Sequence, residues 1–105
     1  MSILSLTFHC PETHLDEWEK YVDETLALMA DNLMDADMYV LSEVASDMVS
    51  EGKNFNLLLV FPSDEARGFF LENELLNIQE RIEKQFGENI MIFKTFLNPI
   101  KFRLE

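Results

Sequence analysis

The 105-residue chain predicts an α+β fold, a four-stranded antiparallel sheet with both helices on one face. Three observations predict it. Four short segments show the alternation or density of apolar residues expected of strands. Two longer segments repeat apolar residues every three or four positions, as helices do. Their order is strand, helix, strand, strand, helix, strand.

Ser2 to Cys10 is the first strand: Leu4, Leu6 and Phe8 alternate with Ser5, Thr7 and His9, and Pro11 ends it for want of an N–H. Thr13 to about Leu33 is the first helix. Thr13 and Asp16 have the spacing of a capping box, and Leu15, Trp18, Val22, Leu26, Met29 and Leu33 form one apolar stripe. Acidic residues crowd its first turns, where the helix dipole favours them.

Met38 to Ala45 is the second strand and Ser46 to Asn54 a polar loop containing Gly52. Phe55 to Phe61 is the third strand, apolar enough to be central and buried on both faces. Ser63 is the N-cap of a second helical region. Its stripes, Ala66, Phe69 and Phe70, then Leu75, Ile78, Ile82 and Phe86, are separated by a step of five. That step does not keep one helical face, so a kink or break is expected near Glu72 to Glu74. Gly87 suits a helix end, Ile90 to Leu97 is the fourth strand, and Ile100 to Glu105 is a short tail. This order is the ferredoxin-like βαββαβ arrangement in a single domain, residues 1–105.

Two helices cover one face of such a sheet. The covered set is expected to be Leu4, Leu6, Phe8, Phe55, Leu57, Leu59 and Phe61. The open set would be Ile3, Ser5, Thr7 and His9, then Tyr39, Leu41 and Glu43, then Leu58 and Val60, then Ile92, Lys94 and Phe96. An apolar surface of that size marks an interface, and a homodimer with its sheets face to face would bury it. Ser5, Thr7, His9, Tyr39, Glu43 and Lys94 would then line a shared cavity able to take a small apolar or amphipathic ligand.

Composition narrows the function classes. Lys plus Arg is 8 and Asp plus Glu is 20, a net charge of −12. All of it falls within residues 1–66, which hold 14 acids against Lys20 and Lys53; the remainder is neutral. Nucleic-acid backbones and anionic membranes need clustered Lys and Arg, so neither is an expected partner. A single cysteine excludes an intrachain disulfide and a Cys-based zinc site. No basic, apolar leader opens the chain and no apolar run is long enough to span a bilayer, so the expectation is a cytoplasmic protein.

Candidate chemistry is sparse. His9, Cys10 and His14 match no standard metal spacing, and His9 and Cys10 point to opposite faces of a strand, which prevents the histidine from activating the thiol. Asp31, Asp35 and Asp37 lack the glycine and distal Glu of a calcium loop, leaving turn and cap roles. Gly52-Lys53-Asn54-Phe55 has the place of an RNA-recognition motif, but Leu57 and Leu59 stand where aromatics are needed and the chain is acidic. No metal, cofactor or catalytic residue is expected.

Asp16-Glu17-Trp18-Glu19-Lys20-Tyr21, Gln85-Phe86-Gly87-Glu88-Asn89 and Phe93-Lys94-Thr95-Phe96-Leu97 together resemble a small uncharacterised bacterial family, a domain-of-unknown-function group. The resemblance implies a ferredoxin-like fold of the dimeric α/β-barrel type and no established activity. The wider barrel group includes cofactor-independent monooxygenases and haem-degrading enzymes. The Asn, Trp and His of the haem degraders have no counterpart set here, because Trp18 falls on the helix core stripe. The expected protein is therefore a small homodimer, non-catalytic or of uncharacterised activity, binding a small apolar or amphipathic ligand between its sheets. The alternative is a cofactor-independent monooxygenase- or isomerase-like enzyme with His9 as acid or base and Tyr39 or Lys94 polarising the substrate.

Overall fold

A computed structural model describes residues 1–45 and 51–103. The expected loop Ser46 to Asn54 and the expected tail therefore lie partly outside the described residues. Strand β1 is Ser2–Cys10, β2 Met38–Glu43, β3 Lys53–Phe61 and β4 Met91–Leu97. They form one antiparallel sheet in the order β2-β3-β1-β4. The two strands with the clearest alternation, β1 and β3, are the central ones, and the helices lie across one face.

The first helical arm departs from the expected uniform helix. Pro11 initiates a 3₁₀ turn, Glu12–His14, with the His14 N–H bonded to the Pro11 carbonyl at 3.0 Å. Helix α1 follows over Leu15–Tyr21, a π-helical turn over Val22–Leu26, and α2 over Ala27–Asp31. The capping box does not form. The 3₁₀ turn takes Thr13 away from the N-cap position, and its hydroxyl lies 3.0 Å from His14 Nδ1 instead. The π turn also moves the inward face. A wide turn holds more residues, so Ala30 is buried while Met29 and Leu33 of the expected stripe only pack partly against the core.

The second helical region behaves as its sequence predicts. The Ser63 hydroxyl accepts from the Ala66 N–H at 3.1 Å and starts α3, Asp64–Glu72. Asn73 leaves helical geometry at φ −126° and ψ −74°, and α4 runs over Glu74–Phe86 on a new face. The Asn73 amide closes the break by donating to the Phe69 carbonyl at 3.0 Å. Gly87 ends α4 at φ +63°.

The core lies between sheet and helices. Leu4, Leu6 and Phe8 of β1 and Phe55, Leu57, Leu59 and Phe61 of β3 are buried, as expected. Trp18 is fully buried at the centre of an aromatic cluster, stacked on Tyr21 at 5.5 Å and met edge-on by Phe86 at 5.3 Å. Arg67 of α3 contacts both β1 and the edge strand β4: its guanidinium donates to the Ile3 carbonyl at 3.0 Å and sits 4.9 Å from the Phe96 ring centroid. Among the described residues no helix is long and apolar enough to cross a membrane.

Candidate functional site

Partners in an antiparallel pair project to the same side, so the register decides which side chains share the uncovered face. Reading from β2 to β4, one rung is Met38, Val60, Ile3 and Leu97. The next is Val40, Leu58, Ser5 and Thr95, and the third is Ser42, Asn56, Thr7 and Phe93. A shorter rung holds Asn54, His9 and Met91. The face is apolar at one end and carries a band of hydroxyls and amides across its middle.

The polar groups are organised by one another. The Asn56 amide donates to Ser5 Oγ at 2.7 Å and to Thr7 Oγ1 at 3.3 Å. His9 Nδ1 lies 2.7 Å from the side-chain amide oxygen Oδ1 of Asn54. That oxygen only accepts, so in the neutral ring Nδ1 carries the hydrogen and Nε2 keeps its lone pair. None of the strand residues on this face is Asp, Glu, Lys or Arg.

Ser5, Thr7 and His9 lie where the sequence places them. Tyr39, Glu43 and Lys94 do not. Tyr39 pairs with Leu59, Glu43 with Phe55 and Lys94 with Leu6, all on the helix-covered side. Leu41, Ile92 and Phe96 shift with them. The cause is a one-residue difference in strand parity, which turns every side chain over. Glu43 forms an ion pair with Lys53, whose ammonium also sits 5.8 Å from the Phe55 ring centroid. The hydrogen bond to Glu43 raises the Lys53 pKa. The Tyr39 hydroxyl donates to Asp31, and that bond raises the phenol pKa. Lys94 projects from the edge strand and is exposed.

In their place the register brings Ser42, Asn54, Asn56 and Thr95 to the open face. The available signal was the alternation of Asn54 and Asn56 with Phe55 and Leu57 in β3, which extends the strand two residues upstream.

The remaining candidates do not converge. Cys10 is buried on the helix side, opposite to His9, with its thiol donating to the Pro11 carbonyl at 3.3 Å. Burial, reinforced by the Glu19 carboxylate, pushes the thiol pKa up to about 11, the reverse of an activated nucleophile. Asp31 accepts from Tyr39, and the Asp37 N–H extends the sheet hydrogen bonding to Val60 at 2.8 Å. The Asp35 N–H instead meets the Glu74 carboxylate at 3.2 Å, a contact that also anchors Met34. Among the described residues no three His, Cys, Asp or Glu side chains are placed to hold one metal ion.

A ferredoxin-like α+β sheet with one uncharged open face is the class these elements define. The chain belongs to the domain-of-unknown-function family DUF4286, whose profile matches residues 1–100. No functionally curated protein matches it. Among solved structures it is similar to a protein of Deinococcus radiodurans provisionally assigned as an antibiotic biosynthesis monooxygenase. The TM-score is 0.69 at 14% identity, covering 98% of this chain and 96% of that one. It is similar to HapK from Hahella chejuensis at TM-score 0.69 and 6% identity, over 100% and 98% of the two chains. A dimeric ferredoxin-like protein from an uncultured marine organism matches at TM-score 0.56 and 16% identity over 100% of both chains. At such identities the likeness establishes the fold.

Proposed function

We propose that the protein is a cytoplasmic homodimer that pairs through its open sheet face and binds a small apolar or amphipathic molecule between the two sheets. The observation that carries this reading is the exposure of that face. Val40 is 53% exposed, Met91 51%, Phe93 50% and Met38 46%. Fully burying such a side chain is worth about 1.5–3 kcal/mol, so completing the burial of several gives a driving force comparable to a domain's net stability.

Charge supports a second copy as the occupant. A molecule of net charge −12 repels its own copies wherever the acids face each other. No described strand residue of the open face is one of those acids, so two copies bring these strand surfaces together without like charges between them. The similar marine protein is described as dimeric. Between paired sheets, Ser5, Thr7, Asn56 and His9 supply neutral hydrogen-bonding groups beside an apolar floor, which suits an uncharged or amphipathic ligand over an ion. Nucleic acid and anionic membrane do not fit a face without cations.

A second reading, a cofactor-independent enzyme of the monooxygenase or isomerase kind, draws on the His9–Asn54 pair. A histidine held by one nitrogen, with the other presenting a lone pair to a closed cavity, is placed to take a proton from a substrate. The similar Deinococcus protein carries a monooxygenase assignment. Tyr39 and Lys94 have no part in this version, since both lie on the other side of the sheet.

Native mass spectrometry of the purified chain tests the first reading. Dimers, with or without a retained small molecule, support pairing, and a retained mass reports the ligand. Monomers alone contradict both the pairing and the cavity. His9→Ala in a dimer that turns over a bound molecule separates the two readings: lost turnover with intact binding favours the enzyme.

A further inference from the structure

On the opposite side of the molecule from the open face, a groove runs between the first helical arm and α4. Tyr21 and Thr25 form one wall; Asn77, Arg81, Lys84 and Gln85 form the other. Its volume is about 640 Å³, within the range of small-molecule pockets. The wall residues of α4 are spaced so that they share one helical face. On the facing arm, Tyr21 immediately precedes the π turn at Val22–Leu26, and Thr25 lies within it. π turns are frequent at functional sites.

Two features of this groove have no internal explanation. Tyr21 is only 5% exposed, and its hydroxyl has no protein partner among the described residues. Its ring is fixed by stacking on Trp18 and by the edge of Phe86, so the hydroxyl does not swing out to water. A buried hydroxyl without a partner is destabilising, since it gives up its hydrogen bonds to water and gains none in the fold. In addition, neither Arg81 nor Lys84 forms an ion pair among the described residues, although the chain has 20 acids. Arg81 Nε makes only a long contact, 3.5 Å, to Asn77 Oδ1.

We propose that this groove binds a small organic oxyanion, a carboxylate or a phosphate ester, held by the Arg81 guanidinium and the Lys84 ammonium, with the Tyr21 hydroxyl donating from its floor. Arg supplies a planar fork and Lys a point charge, the usual pair for such groups. The hydroxyl is closed off from solvent, so the ligand oxygen reaches it by displacing the long side chains that line the groove. Glu80 also lines the groove. It leaves the site one net positive charge and offers an acceptor to a hydroxyl or ammonium elsewhere on the same ligand. The site does not depend on the paired-sheet reading, because it uses no residue of the open face.

Inorganic phosphate and acetate, each titrated into the 105-residue chain at constant ionic strength, test the proposal. Trp18 is the only tryptophan and stacks on Tyr21, so its emission reports occupancy, alongside amide shifts in ¹⁵N spectra. A saturable response centred on Thr25, Asn77 and Arg81 is expected. It should weaken at least about tenfold in the R81Q/K84Q double variant, as expected for losing two charge-assisted contacts. Tyr21→Phe keeps the ring packing and should weaken binding several-fold. Phosphate saturating alone assigns a phosphate ester, acetate alone a carboxylate, and both together the shared oxyanion chemistry. No saturation with either anion, or an unchanged response in the double variant whose circular dichroism is native, overturns the site.

Discussion

The side-chain nitrogen of Asn56 lies 2.7 Å from Ser5 Oγ, joining the two central strands through a polar contact on the face that no helix covers. The rung beyond Ser5 (Met38, Val60, Ile3 and Leu97) is wholly apolar and the one beyond Thr7 holds His9 and Asn54, so this contact marks where the open face changes from a purely hydrophobic surface to one able to orient a ligand. Asn56→Ala removes both hydroxyl contacts. It should cost about 1 kcal/mol in urea unfolding and reduce retention of any co-purifying molecule. Unchanged stability together with unchanged retention would remove Asn56 from the site.

Leu58 occupies the middle of that face, between Val40 and Ser5. Leu58→Asp places a carboxylate opposite its own symmetry-related neighbourhood in a face-to-face dimer. Size-exclusion chromatography with light scattering should show monomers, with near-native far-ultraviolet circular dichroism. Val60→Thr, a milder change in the next rung, should leave the dimer in place.

Gly52 precedes β3 at φ +83°, a conformation L side chains rarely adopt, and a Cβ there would stand 2.1 Å from the Cys10 carbonyl oxygen. Backbone must therefore move to admit any side chain. Gly52→Ala should destabilise by more than about 2 kcal/mol in denaturant titration. Gly68→Ala is the control: its Cβ meets nothing and it lies within α3, so the helix should gain rather than lose stability.

Cys10 gives a pH signature. Its folded-state pKa, about 11, lies above the ordinary value of 9.0, so the native state holds its proton more tightly than the unfolded chain. Stability from this group is present below pH 9 and is lost as pH rises toward 11, at up to about 1.4 kcal/mol per pH unit. Tyr21, whose phenol pKa is raised by burial, adds to the loss at the upper end. Cys10→Ala should flatten the lower part of the profile, between pH 9 and 10. A native thiol that alkylates at pH 8 as fast as a free one would contradict the assignment.

Legibility in the sequence followed alternation. In β1 and β3 apolar and polar residues alternate cleanly, and both the strands and their faces were readable, including Ser5, Thr7 and His9. In β2 and β4, Met38 to Leu41 and Met91 to Phe93 are apolar at consecutive positions. Both are edge strands, partly wet on each side, so the pattern carries no parity. Their faces follow only from the register with β3 and β1, and Tyr39, Glu43 and Lys94 were misplaced for that reason. The step of five between Phe70 and Leu75 did foretell the break at Asn73. The π turn left no comparable trace, because Val22 and Leu26 suit an ordinary helical stripe equally well. The groove beside it depends on pairing two distant helices, Tyr21 and Thr25 with Arg81 and Lys84, which spacing within either helix does not disclose.

Sedimentation velocity at micromolar concentration and physiological salt tests the central claim most directly. A species of twice the chain mass, converted to the chain mass by Leu58→Asp, is the predicted result. A wild-type protein that sediments only as a single chain would contradict the pairing of open faces.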